Sequence, residues 1–303
     1  MLALGVVALK AQQQAMFTHY AFNTLAVNPA YAGSREALTV TALHRSQWVG
    51  FDGAPTTQTL TLHTPIANDR LGLGLSIMND KIGPLNTTSL YTDLAYILPL
   101  NQRGSKLAFG LKGGINLMQA NLNEVTTNQT GDNSFDGNNV SNDVLPNFGL
   151  GAYYYNPKWY VGLSVPTFLE NTLKTEVNNS GTSVAKEKRH FFAIGGAVFN
   201  LSKGLKLKPT TFVKVTEAAP IELDLTAMFI FKDKLELGGM FRTGDAIGAL
   251  LGYNLSPVFR IGYSFDWSYT NTTFKYNNGS HEAMLRYDFI YNDNKKIRSP
   301  RYF

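Results

Sequence analysis

Residues 221–232 read Ile221-Glu222-Leu223-Asp224-Leu225-Thr226-Ala227-Met228-Phe229-Ile230-Phe231-Lys232. Every odd position is apolar, while the even positions open with Glu, Asp and Thr. A strand places successive side chains on opposite faces, so this period of two gives one apolar and one polar face. Leu71, Leu73, Leu75 and Ile77 alternate in the same way with Gly72, Gly74, Ser76 and Met78. So do Leu107, Phe109 and Leu111, then Trp159, Val161, Leu163 and Val165, and finally Phe259, Ile261, Tyr263, Phe265 and Trp267. Apolar on one side and small or polar on the other is the lipid-out, lumen-in pattern of membrane strands.

Composition points the same way. Of 303 residues, 44% are hydrophobic and only 16% charged, against roughly 25% charged in soluble domains. A soluble chain this poor in charge needs very large buried surfaces, whereas a membrane barrel turns its apolar face to lipid. No stretch approaches the ~18 apolar residues that a helical span requires. A membrane protein without helical spans must be a closed barrel, because unpaired strand edges are not tolerated in lipid.

The pattern predicts an all-β, closed antiparallel transmembrane barrel. Strands are expected at 37–47, 56–64, 70–79, 88–99, 105–118, 146–155, 159–167, 188–200, 205–214, 221–232, 234–243, 246–254, 258–268 and 281–291. That makes about fourteen, an even number as such barrels require. Links after even-numbered strands are short, as at Asn156-Pro157-Lys158 and Lys232-Asp233-Lys234. Several links after odd-numbered strands are long: 49–55, 80–86, 119–145, 168–186 and 268–280. Outer-membrane barrels carry short periplasmic turns and longer outside loops, which predicts both termini in the periplasm. Glycines recur within the strands, where a lumen-facing Gly leaves room for curvature or closely packed backbone.

One domain is expected. Residues 1–11 (MLALGVVALKA) read as the apolar core of a secretory signal. Residues 12–36 form a periplasmic N-terminal segment, 37–291 the barrel, and 292–303 a basic periplasmic tail. The chain has no cysteine, which excludes disulfides, thiolate metal sites and cysteine catalysis. The net charge of +5 is scattered and accompanies no nucleic-acid-binding motif. His19, His44, His63, His190 and His281 stand far apart without metal-ligand spacing, and no nucleophile elbow is present. No catalytic, cofactor or metal residues are predicted. Asp132 to Asp143 has calcium-loop oxygen spacing, but an Asn/Asp/Gly-rich outside loop has the same composition. Aromatics near strand ends, among them Trp48, Phe51, Tyr91, Tyr153, Tyr160, Trp267 and Tyr269, suit interfacial girdles.

The ends are aperiodic and distinctive. Asn28-Pro29-Ala30-Tyr31-Ala32-Gly33-Ser34, the stretch HRSQWVGFDGAP at 44–55 and the closing SPRYF at 299–303 resemble the PorP/SprF family, outer-membrane proteins of the type IX secretion system of Bacteroidetes. The resemblance covers nearly the whole chain and includes QTLTLHTPI at 58–66 and LGLGLSIMNDKIGP at 71–84. It implies a role in secreting a large adhesin or holding it at the surface through its C-terminal sorting domain, with gliding motility in some members. The expected partners are that adhesin, other secretion components and outer-membrane lipid. Expected contact residues are Asn28, Pro29, Tyr31, Trp48, Phe51, Phe135, Trp267, Tyr269, Arg298, Arg301 and Phe303. The two ends are expected to meet the secretion machinery, plug the lumen or tuck beneath the barrel. The rival reading is a passive porin or nutrient channel.

Overall fold

The computed structural model describes residues 16–67, 69–121, 140–177, 180–217, 219–269 and 278–290, without side chains for 140–142 and 172–186. A short N-terminal segment holds helix α1 (Thr24–Val27) and a 3-10 turn (Pro29–Tyr31). The strands follow: β1 Leu38–Ser46, β2 Thr56–Ile66, β3 Leu71–Ile82, β4 Leu85–Pro99, β5 Lys106–Ala120, β6 Val140–Tyr155, β7 Trp159–Val165, β8 Thr172–Val177 and β9 Ser180–Lys186. Then come β10 His190–Ala197, β11 Phe199–Ser202, β12 Leu205–Thr216, β13 Glu222–Phe231, β14 Leu235–Arg242, β15 Ala246–Asn254, β16 Phe259–Ser268 and β17 Ser280–Phe289.

All sheet pairings are antiparallel between neighbours, and the barrel closes twice over. β1 pairs with β17 from Leu38↔Phe289 to Ser46↔His281, and β10 pairs with both β7 and β12. β11 continues β10 along β12 past an interruption at Val198, so the two form one wall strand. β8 and β9 form a separate hairpin. The result is a closed fourteen-stranded barrel, and closure leaves no edge for lipid to meet. No helix among the described residues is long and apolar enough to cross a membrane.

The alternation read in the sequence sorts the two faces. In β13, Leu225 and Phe229 are 48% and 41% exposed, whereas Asp224 and Thr226 are 1% and 5%. Exposed leucines and phenylalanines cover the outside, and the buried polar groups are Thr, Ser, Asn and ion pairs facing inward, the inverse of a soluble protein. A charge on the outer face should therefore be costly. Leu111→Arg, at an outward position in the middle of β5, is expected to lower barrel stability by about 2–4 kcal/mol, measured by chemical unfolding in lipid vesicles.

Two local expectations are corrected. The link at 80–86 is not a long loop, because β3 and β4 run on and join through Gly83-Pro84 alone. Polar side chains there find cross-strand partners, as where Asn79 Nδ2 donates to Asn86 Oδ1 at 2.8 Å, so the ladder continues into residues that composition marked as loop. Tyr91, Tyr153 and Tyr160 are not girdle residues. They point inward, 6%, 1% and 1% exposed, because each stands one position off the apolar set of its strand. Tyr96, Trp159 and Trp267 do face outward. The 168–186 link carries the β8–β9 hairpin. Lys188 beyond it donates to Glu217 Oε2 at 2.9 Å, and that hydrogen bond raises its pKa above the ordinary lysine range. The calcium-type loop lies largely outside the described residues.

Candidate functional site: a lumen plug on a small-residue seat

Residues 16–36 lie inside the barrel. From Ala37 at the short-turn end, the segment read backwards enters the lumen and reaches Thr18 near the long-loop end. Phe17, Tyr20, Phe22, Leu25, Val27, Ala30, Tyr31 and Ala32 are all buried. This stretch has no period because it obeys no single neighbour. It touches strands on every side, and each residue answers to a different wall.

The NPAY portion rests on a row of small residues crossing the barrel wall. Gly72 of β3 pairs with Ala95 of β4, Ala95 with Gly110 of β5, and Gly110 with Gly151 of β6. A Cβ on Gly72 would stand 2.0 Å from the Ala32 carbonyl oxygen, and one on Gly110 would stand 2.2 Å from the Ala30 nitrogen. On Gly151 it would lie 2.2 Å from Asn28 Oδ1. No side chain fits between plug and wall, so the backbone itself is the packing surface. The expectation that lumen-facing glycines admit packed backbone thus has a specific cause.

Asn28 is the centre of this contact. Its Oδ1 accepts from the Ala30 backbone N–H at 3.0 Å and caps the 3-10 turn. Its Nδ2 donates to the carbonyls of Ala152 and Leu163 at 3.1 and 3.4 Å. Pro29 opens the turn, where its missing N–H costs nothing. Ser164 Oγ donates to the Val27 carbonyl at 2.6 Å. The Tyr31 ring meets His63 and Tyr153 edge-on, with centroids 5.1 and 5.5 Å apart. Gly33, at φ +74°, turns the chain against Pro65 and Gly72 and donates its N–H to His63 Nδ1 at 3.2 Å. Asn23 precedes α1 without capping it. Its amide is spent on the wall instead, donating to Thr59 and accepting from Thr61.

At its upper end the plug is latched by ions. The backbone N–H groups of Thr18 and His19 donate to the two oxygens of Glu282 at 2.8 and 2.7 Å, and His19 Nδ1 meets the same carboxylate at 2.6 Å. Arg45 Nη1 lies 2.7 Å from Asp266, 3.3 Å from Glu282 and 2.9 Å from Thr18 Oγ1. At the lower end Arg35 pairs with Asp288 at 3.0 Å and Glu36 with Lys106 at 2.9 Å. Between them, Phe22 sits among Met228, Met240, Leu250 and Met284. Tyr20 stacks on Phe212 at 4.9 Å. These inward-facing apolar residues are the signal that sequence reading passed over. A water-filled lumen has no use for Met228, Met240 and Met284, but a plug carrying Phe22 does. Beside α1 a cavity of about 110 Å³ opens among Ala26, Thr59, Thr61, Ser76, Tyr91 and Asn116.

The other expected contact residues are scattered. Trp48 and Phe51 sit in the β1–β2 loop. The Trp48 N–H donates to Ser280 Oγ at 3.1 Å, and Phe51 is 44% exposed. Trp267 and Tyr269 face outward at the end of β16, where Tyr269 stacks on Phe241. Phe135, Arg298, Arg301 and Phe303 lie outside the described residues. The histidines serve different neighbours: Glu282 for His19, Gly33 for His63 and Tyr263 for His281. Among the described residues no three metal-capable side chains converge.

A sequence profile for the type IX secretion system membrane protein PorP/SprF matches residues 9–287. The chain belongs to the PorP/SprF family. This PorP/SprF barrel is thus an outer-membrane component of type IX secretion. Among curated proteins none matches it. Among solved structures it is similar to the CymD monoaromatic hydrocarbon channel, with TM-score 0.50 and 12% identity over 88% of this chain and 92% of that one. It is also similar to the Acinetobacter baumannii outer membrane protein Omp33, with TM-score 0.47 and 11% identity over 84% and 98%. At such identities the likeness concerns the fold alone.

Proposed function

We propose that this barrel holds a large secreted adhesin at the cell surface, or helps secrete it, by binding the adhesin's C-terminal sorting domain, and that it supports gliding motility. The short turns and both termini face the periplasm, and the long loops face outward. Trp48, Phe51, Phe135, Trp267 and Tyr269 supply contacts on the outer side. Arg298, Arg301 and Phe303 meet secretion components on the inner side. Asn28, Pro29 and Tyr31 contribute through the plug that they seat. The role requires no catalysis.

The observation that carries this reading is the filled lumen. A passive porin needs an open path, whereas Tyr20, Phe22, Leu25 and Tyr31 occupy the bore and are 1–4% exposed. A rigid, closed barrel is a scaffold for loops. The test is deletion of the gene followed by surface proteolysis and mass spectrometry of the released proteins. Proteins bearing the sorting domain should vanish from the surface and return on complementation. An unchanged surface repertoire, together with a large steady current through the purified barrel, would favour the porin instead.

A further inference from the structure

Near the short-turn end the lumen holds four cations and two carboxylates within Coulombic reach of one another: Arg35, Lys208, Arg260 and Arg286 against Glu236 and Asp288. All six are buried. The carboxylates are taken. Asp288 binds Arg35 at 3.0 Å and accepts from Thr39 Oγ1 at 2.7 Å, and Glu236 binds Arg260 at 2.5 Å. Phe22 lies under both Arg260 and Lys208, with the charged groups 4.0 and 4.2 Å from its ring.

Arg286 has no carboxylate within 4 Å among the described residues, yet it is only 6% exposed. It also stands directly opposite Arg260 across the β16–β17 ladder. A buried charge with no carboxylate in contact is costly. Arg260 is already engaged, its guanidinium lying against Gly252 and reaching Glu236 on the side away from Arg286. Arg286 thus keeps its planar pair of donors for an oxyanion.

We propose that Arg286, with the positive charges of Arg260 and Lys208 nearby, forms an anion site in the lumen that takes a carboxylate or phosphate group. The group arrives from the short-turn side, as a free anion or as part of an acidic segment. The inference stands apart from the adhesin role, since it concerns the opposite end of the barrel and needs no partner to be tested.

The experiment follows thermal unfolding of the full chain in detergent with rising inorganic phosphate at constant ionic strength. Phosphate should raise the midpoint of the wild type by a few degrees and leave Arg286→Gln unmoved. Should Arg286→Gln fail to fold, Arg286→Lys, which keeps the charge but loses the fork, should weaken the response several-fold. If phosphate does not shift the wild type, or shifts Arg286→Gln as much, the site does not exist.

Discussion

Gly110→Leu should turn an electrically silent barrel into a conducting one. The wild type is expected to pass no stepwise current in planar bilayers, because residues 16–36 fill the bore. A Cβ at position 110 would already lie 2.2 Å from the Ala30 nitrogen and 2.5 Å from its Cα, and neither backbone atom can move aside as a flexible side chain would. Overpacking of this kind costs roughly 1–3 kcal/mol in a well-packed core, and here the strain falls on plug contacts alone. The wall hydrogen bonds of β5 to β4 and β6 are backbone pairs that a leucine side chain leaves intact. The barrel therefore stays closed while the plug lifts. A silent Gly110→Leu barrel of normal stability would show that the seat is not what holds the plug.

Glu282→Gln should release the upper end of the plug. Four donors converge on this carboxylate: the N–H groups of Thr18 and His19, His19 Nδ1 and Arg45 Nη1. Glutamine offers one oxygen in place of two and aims an NH₂ at donors that need an acceptor. It also leaves Arg45 to Asp266 alone. Breaking a buried, hydrogen-bonded ion pair costs about 3–5 kcal/mol. A local opening made ~3 kcal/mol easier is roughly 100-fold more populated. The chain has no cysteine, so Phe17→Cys gives a single reporter at a position 7% exposed. Its maleimide labelling should be slow in the parent and about 100-fold faster with Glu282→Gln added. Equal labelling rates would place the hold on the plug elsewhere.

The parts of the molecule that could be read in advance share a physical origin. A strand's two faces are set by neighbours in the chain, so alternation at 221–232 announced a wall strand with Leu225 outside and Thr226 inside. Turn chemistry is equally local, and Asn156-Pro157-Lys158 closed a hairpin as expected. The site was half legible. Asn28, Pro29 and Tyr31 stood out as aperiodic turn residues, and plugging the lumen was among the roles open to that segment. Nothing local distinguished a plug from a periplasmic arm. Met228 and Ile230, on a face that opens with Glu222, Asp224 and Thr226, were the available clue, and it is weak without knowing that Met240, Leu250 and Met284 face the same point as Met228.

What the sequence alone determined is the barrel: its fourteen strands, which face meets lipid and where the chain turns, because each depends on side chains a few residues apart. What only the tertiary structure decided is the use of the interior. The small-residue row from Gly72 to Gly151 exists only once four strands are in register. Arg45 and Glu282 lie 237 residues apart and meet because the first strand closes on the last. The plug's contacts belong to no strand's own pattern, since they arise where walls distant in sequence face a common axis.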